Sequence, residues 1–515
     1  MKKIVAILSF CLTSLLGLAQ NPYLPLWEHI PDGEPYVFED PDRPGSMRVY
    51  IYGSHDSLVD TYCGLEQVVW SAPVDDLSAW RYDGVIFASV LDALGNLLNE
   101  GGKGDLLYAP DVAETVGPDG KKTYYLYPNN QADGRRSMVA RSDRPDGPFT
   151  VCNWDPRHPD RTAGVLDFDP AVFVDDDGRV YGYWGFKRSY MAELDPVTMS
   201  TVKPGTEVRR GIGFNFYEAS SMRKIEDKYV LIYSRWTDNG EFGLPDTNYT
   251  LAYAYSDSPL GPFTYGGTII DGRGRDTDPD GKVIFTATVS GNTHGSIARV
   301  GDDWWVFYHR QTGLDEFSRQ AMVARIDVSV EKGPGGKVTI SEGEYNSEGF
   351  STRGLNPYHR IPAALACYYT GPKPAEKVRN ADFLFRFYGS YVRTRNMDSE
   401  AAVVNNTAGS TVGFKYLDFD MLPSGKKAEL IVRLKPLGVA GTVRIMAGSP
   451  YAGKGKVLGT ISLDGAQSDD IREYRTVVSI PRGCTGKQAL YFLFDSPVPE
   501  TSLCDFIDFS FLPAR

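Results

Sequence analysis

Tryptophan disappears from this chain after Trp305: all eight copies lie between Trp27 and that residue. So sharp a shift in composition argues for two modules rather than one. Cysteine is scarce as well. Of six, Cys11 falls in an apolar leader, which leaves Cys63, Cys152, Cys367, Cys484 and Cys504. An odd, widely spaced set excludes a disulfide framework, and Cys484 with Cys504 is the one pair worth testing. Basic residues are outnumbered, 54 against 66 acidic, for a net charge of −12. That balance argues against nucleic acid or an anionic membrane as partner. Long apolar runs are missing apart from Ile4–Ala19. That stretch follows Met-Lys-Lys and ends in Gly17-Leu18-Ala19, so residues 1–19 read as a secretory signal peptide, not a membrane span. Phe10 stands before Cys11 where a lipoprotein signal needs a small residue. The expected location is periplasmic or secreted. Long amphipathic helical patterns are absent too, whereas 53 glycines and 33 prolines supply many tight turns. The composition points to an all-β chain.

What the chain does contain is a pattern used five times. A small residue beside a carboxylate or histidine opens an apolar stretch, a turn follows, and a Tyr/Trp-rich run closes it. The copies are GEPYVFEDPDRPGSMRVYIYGS from Gly33, YAPDVAETVGPDGKKTYYLYPN from Tyr108, FDPAVFVDDDGRVYGYWG from Phe168, YEASSMRKIEDKYVLIYS from Tyr217 and THGSIARVGDDWWVFYHR from Thr293. Each is a hairpin signature. Aligning their openings puts Glu34, Ala109, Asp169, Glu218 and His294 in one column, spaced by 75, 60, 49 and 76 residues. Such spacing suits four-stranded blades with loops. If the five first strands start at one mouth of a channel, three carboxylates and a histidine meet there. The outer parts repeat too: SDRPDGPF at Ser142–Phe149 returns as SDSPLGPF at Ser256–Phe263. Residues 327–345 read as a closing hairpin. After a connector, the short apolar strands VGFKYLDFDM, KAELIVRLK, GTVRIMAG and ALYFLFD suggest a β-sandwich.

Two carboxyls flanking a glycosidic bond can hydrolyse it, one as acid and one as base, provided the acid keeps its proton near neutral pH. A third carboxylate nearby would hold that proton in place. The antiparallel second strands return to the same mouth and bring Ser54-His55-Asp56, Asn129-Asn130, Trp184, Arg235-Trp236 and His309-Arg310. Of these, His55, Asn129, Trp184 and Trp236 suit sugar recognition, aromatic faces stacking on the ring and polar groups binding hydroxyls. Trp184 and Trp236 could equally fill space between blades.

In FDPAVFVDDDG, YEASSMRK…YVLIYS and GNTHGSIARVGDDWWVFYHR the chain resembles glycoside hydrolase family 43 over about residues 21–345. The resemblance implies a five-bladed β-propeller that hydrolyses with inversion. Glu218 would be the general acid, Asp169 the carboxylate that raises its pKa, and Glu34 would occupy the place of the base, normally an Asp. It also implies a calcium ion (Ca2+) near His294 and a substrate-side role for Arg319 in FSRQAMVARI. The tail resembles a family 6 carbohydrate-binding β-sandwich (jelly roll) through VVNNTAGSTVGFKYLDF and ALYFLFD. The expected organisation is a signal peptide at 1–19, a propeller at 20–345, a linker at 346–380 and a sandwich at 381–515. The expected activity is release of α-L-arabinofuranosyl or β-D-xylosyl units from plant cell-wall polysaccharides. Two alternatives are a galactofuranosidase or galactosidase on the same fold, and a carbohydrate-binding propeller that has lost its base. Oligosaccharide or polysaccharide is the expected partner, with no protein partner implied.

Overall fold

A computed structural model of the chain describes residues 19–513, apart from 58–61, 100–101, 239, 244–248, 278–279, 281–282, 286–291, 314–316, 374–375, 378–384, 395–399, 452 and 454. The expected signal peptide thus lies outside the described residues up to position 18, as does the expected boundary at 380/381. The described chain is all-β, and its helical pieces are three short 3-10 turns.

The five sequence repeats become the first two strands of five antiparallel sheets. Four sheets have four strands in chain order, beginning at Glu34–Glu39, Asp111–Val116, Ala171–Val174 and Phe216–Ile225. The fifth has three, beginning at Ser296–Val300. Successive sheets pack face to face through separate apolar clusters. Tyr50 and Tyr52 of the first meet Val112 and Tyr124 of the second. Val139 of the second meets Val180 and Trp184 of the third, and Tyr181 and Tyr183 of the third meet Met222 and Leu231 of the fourth. Val230 and Ile232 of the fourth meet Val306 and Tyr308 of the fifth. The fifth then packs on the first, through Phe307 and Val323 against Val49 and Ile51. The succession therefore closes on itself, and its strands are buried on both faces. This explains the nearly continuous apolar second strands: Val180 and Trp184 point one way, Tyr181 and Tyr183 the other. The repeated turns also have a packing role. Tyr52 donates to the carbonyl of Pro145 at 2.7 Å, and Tyr183 to that of Pro259 at the same distance, so each turn is held by the preceding sheet.

Residues 328–330 and 338–340 pair as the expected hairpin. Beyond it, a six-stranded and a five-stranded sheet enclose a second core of Val412, Phe414, Leu430, Val432, Phe492, Phe506 and Phe509. The stretch 346–380, expected to be a linker, contributes to both sheets: Ile361–Pro362 pairs with Cys504–Leu512, and Tyr368–Thr370 with Thr411–Asp418. All five cysteines from Cys63 onward are free thiols, Cys484 and Cys504 included.

The two parts of the molecule share apolar packing. Tyr253, Val306 and Tyr308 from the ring of sheets cluster with Cys367, Tyr368, Ala489 and Tyr491. Arg310, fully buried, donates from Nη1 to the carbonyl of Ala366 at 2.9 Å and from Nη2 to that of Ala364 at 2.5 Å.

Candidate active site

The first strands of the five sheets begin on one side of the ring, and several begin with a residue in the left-handed region. Asp32 has φ 60°, Asp169 φ 45° and Ala219 φ 65°, while Asn129, at the returning end of the second sheet, has φ 53°. For residues with a Cβ this costs about 1–3 kcal/mol each, and such strain clusters where function requires a side chain to be re-aimed. Here it brings the carboxylates of Asp32 and Asp169 to either side of His294.

Asp32 is the most heavily braced of them. Its backbone N–H donates to His309 Nδ1 at 3.1 Å, and Ser54 Oγ donates to its Oδ2 at 2.6 Å. Arg319 Nη1 lies 3.1 Å from both of its oxygens. Arg319 is itself clamped by Asp56, with Nε and Nη2 each 2.9 Å from a carboxylate oxygen, and it stacks over Tyr62. Burial pushes the Asp32 carboxyl up, but Arg319 above all, with the Ser54 hydrogen bond, more than offsets this and holds it below the ordinary aspartate range. Burial also lowers His309 to about 3. His309 is therefore neutral, with Nδ1 accepting from Asp32 N–H and Nε2 donating to Asn292 Oδ1 at 2.9 Å.

Asp169 has the opposite surroundings. It accepts from Asn129 Nδ2 at 2.7 Å and from Ala219 N–H at 3.1 Å. Burial, together with the negative charges of Glu218 and Asp32, raises its carboxyl to about 7 against the pull of His294 and Asn129. His294 stands between the two aspartates, its Nδ1 3.9 Å from Asp32 Oδ1 and 3.8 Å from Asp169 Oδ2. Glu218 accepts from the hydroxyl of Tyr249 at 2.9 Å, so a proton on this carboxyl is directed to the other oxygen, Oε2. Tyr249 packs edge-on against Trp236 and Tyr217, which walls Glu218 with aromatic rings.

Three residues depart from their expected places. Glu34, aligned with the catalytic column, is tied instead to Arg223, and its Oε1 accepts from Ser221 Oγ at 2.8 Å. Ser221 in turn meets Ser296 at 2.7 Å, and Tyr36 in the same strand donates to Asp111 at 2.7 Å. Glu34 thus belongs to a layer with Asp111, Ser221 and Ser296, two residues along each strand from Asp32, Ala109, Ala219 and His294. A two-residue shift keeps a side chain on the same face of its strand, so alternation could not reveal it. The Pro after Glu34 matches Asp169-Pro170, which placed Glu34 and not Asp32 in the sequence column. Trp184 is 5% exposed between the second and third sheets, so it fills space there and offers no face to a sugar. Arg319 is spent on Asp32 and Asp56, and so it positions a carboxylate where a substrate contact was expected.

Asn129 likewise holds Asp169 and accepts from Gln131. His55 is partly exposed, with Nε2 3.2 Å from Glu28 Oε1. Trp236 packs on Tyr249, the residue that donates to Glu218. Asp32 and Tyr249 were not singled out in the sequence; Asp32 stands just ahead of the first repeat, which was read from Gly33. The surroundings of His294 do not suit calcium, which prefers about six to eight oxygen ligands. The oxygens of Asp32 and Asp169 already accept from Arg319, Ser54, Asn129 and Ala219. Among the described residues no group of three His, Cys, Asp or Glu side chains is arranged to hold a metal ion.

Comparison with known proteins bears on this geometry. The sequence pattern of Glycosyl hydrolases family 43 matches residues 48–332, more than half of the chain. A xylosidase/arabinosidase of Thermoclostridium stercorarium is 34% identical over 500 residues, covering 92% of this chain and 95% of the relative. An arabinoxylan arabinofuranohydrolase of Bacillus subtilis is 26% identical over 499 residues, covering 90% and 85%. A solved structure of a family 43 arabinoxylan arabinofuranohydrolase from Bacillus subtilis, in complex with cellotetraose, superposes with a TM-score of 0.47 at 22% identity, covering 97% of this chain and 98% of that one. With the family pattern matched over most of the ring of sheets, and a relative matched over nearly the whole chain, the protein belongs to glycosyl hydrolase family 43 and is a glycosidase.

Proposed function

We propose that the protein is an inverting glycosidase that removes α-L-arabinofuranosyl or β-D-xylosyl units from plant cell-wall polysaccharides. One observation carries the mechanism: the pocket drives two of its carboxyls apart, Asp32 downward and Asp169 up to about 7. Carboxyls driven apart in this way identify base and acid sides of a site. Asp32, ionised, is the general base. Glu218 is the general acid, and Asp169 with Glu218 retains the proton the acid must deliver. In the reaction Glu218 gives its proton to the glycosidic oxygen as the bond from that oxygen to the anomeric carbon breaks. Asp32 takes a proton from the water that attacks the same carbon from the opposite face. Such a pair needs roughly 6.5–9.5 Å between carboxyls to admit the water.

The sugar specificity rests on the likeness to the xylosidase/arabinosidase and arabinoxylan arabinofuranohydrolase relatives. The galactofuranosyl alternative drew its support from a glutamate in the base position, and the binding-only alternative from a lost base. Asp32 removes both reasons. The ring of sheets is read as a five-bladed β-propeller, and the two C-terminal sheets as a β-sandwich of the carbohydrate-binding kind. The apolar leader, and a polymer substrate that cannot cross a membrane, favour periplasmic or secreted action.

Hydrolysis of nitrophenyl arabinofuranoside, xyloside and galactofuranoside by wild type, Asp32→Asn and Glu218→Gln tests the proposal. Wild type should turn over one of the first two, with the inverted anomer formed first by NMR. Asp32→Asn should lose at least about a hundredfold in kcat with either substrate, in line with removing base catalysis. Near-normal turnover by Asp32→Asn would overturn the assignment of the base.

A further inference from the structure

The first sheet, the N-terminal arm ahead of it and the C-terminal module enclose a cleft of about 620 Å³, and none of the three carboxyls lines it. Its two walls differ. From the ring side come Trp27, Trp70 and Trp80. Trp27 is 50% exposed, a large apolar ring left in water, and leans on Trp70 at 6.1 Å with the planes 56° apart. Trp70 is fixed by its Nε1, which donates to Glu28 Oε2 at 2.9 Å, and Trp80 is backed by Tyr23 and Phe350. The indoles are therefore held by their surroundings. From the C-terminal module come Arg360 and Asp508, with Arg360 Nε donating to Asp508 Oδ2 at 2.6 Å. The Arg360 side chain is 58% exposed, so its guanidinium keeps donors to spare for a ligand.

An aromatic wall facing a hydrogen-bonding wall matches the two characters of a pyranose, an apolar C–H face and a rim of hydroxyls. Glu400 stands on the same wall, so its carboxylates outnumber the one guanidinium and the arrangement suits an uncharged sugar better than an anion. It also resolves an oddity of composition. The C-terminal module has no tryptophan of its own, yet here it faces three from the other part of the chain. We propose that this cleft is a second, non-catalytic binding site for an uncharged polysaccharide main chain of the β-linked xylan type. It holds the polymer while the carboxylate pocket works on a side chain or end. The identity of the polymer rests on the substrate reading above.

Affinity electrophoresis of the full chain through gels containing soluble arabinoxylan tests it, beside kinetics on the nitrophenyl substrates. Wild type should be retarded. Trp27→Ala should bind about tenfold more weakly, the loss expected of an exposed aromatic anchor, and Trp27→Phe should recover most of it. Nitrophenyl kcat/KM should stay within about twofold of wild type in both. Arg360→Ala, on the opposite wall, should also weaken retardation, so the test survives a misfolded Trp27 variant. No retardation of wild type, retardation untouched in both Trp27→Ala and Arg360→Ala, or a parallel loss of nitrophenyl activity in the variants would overturn the proposal. Retardation lost with Trp27 in a protein that turns over none of the nitrophenyl sugars would uphold the cleft and sink the substrate reading instead.

Discussion

A carboxyl that stays protonated to about pH 7, as Asp169 does, keeps a proton in the pocket over the range where many enzymes have lost theirs. The proton is useful only if it reaches Glu218, whose charge is among the causes of the shift. Replacing Asp169 with Asn removes a neighbouring negative charge. Glu218 then gives up its proton at lower pH, so the basic limb of the pH–rate profile should move down. Stability should change with the opposite slope. The folded-state pKa of Asp169 lies above its unfolded value, so folded wild type binds more protons than unfolded between about pH 4 and 7, and stability falls as pH rises through that window. Asp169→Asn lacks this loss. The melting temperature of the variant relative to wild type should therefore climb from pH 4 to pH 8. A basic limb that stays in place, with a pH-independent difference in melting temperature, would refute the role. Asp32 shows why residue identity alone was insufficient: its ionised state is imposed by Arg319, which lies 287 positions later in the chain.

Each inner strand carries two layers of the channel, and the layers have different work. The outer layer holds Asp32, Asp169 and His294 at strand starts. The next holds Glu34, Asp111, Ser221 and Ser296, where Arg223 joins Glu34 of the first sheet to the fourth and stacks over Tyr36 at 4.7 Å. Breaking such a buried pair by removing one charge typically costs about 3–5 kcal/mol. Glu34→Gln should therefore lower the melting temperature clearly, while the folded variant keeps most of its kcat and the acidic limb of its pH profile. A kcat loss as large as that of Asp32→Asn, with no loss of stability, would return Glu34 to catalysis. The hairpin signatures placed all five inner strands, because alternation and turn chemistry are local. They could not fix register between sheets, which is set by contacts such as Ser221 with Ser296, 75 residues apart. Glu218 and Asp169 stood out in the sequence because each lies within two residues of a strand start, at Phe216 and Ala171. Trp184 was left open in the sequence because a second strand buried on both faces gives its aromatic residues no preferred exposed side, and parity sent this one between sheets.

At the scale of the whole molecule, the ring of sheets and the C-terminal module are held by more than a tether. Tyr308 and Val306 share a cluster with Tyr368 and Tyr491, and Tyr491 donates to Asp276 at 2.9 Å. The N-terminal arm adds a seam on the ring itself, since Asn21 donates to the carbonyl of Val323 at 2.6 Å and to that of Asn346 at 3.1 Å. Arg310 lies at the centre of the contact. Its guanidinium, fully buried, serves two carbonyls of the Ala363–Leu365 turn region and Gln320 Oε1 at 2.8 Å. A planar fork presents its donors from separate nitrogens in fixed directions, whereas a lysine ammonium would have to draw all three acceptors around one nitrogen. Arg310→Met would fill much of the volume but leave the carbonyls of Ala364 and Ala366 buried and unpaired, at about 1–3 kcal/mol each. Because the two parts share core packing, calorimetry of wild type should show one cooperative transition. In Arg310→Met that transition should move to lower temperature without splitting, while nitrophenyl turnover well below the midpoint stays near wild type. Two separate transitions in the variant would mean that Arg310, more than the shared aromatic cluster, couples the parts. An unchanged midpoint would mean that the carbonyls find other donors once the guanidinium is gone.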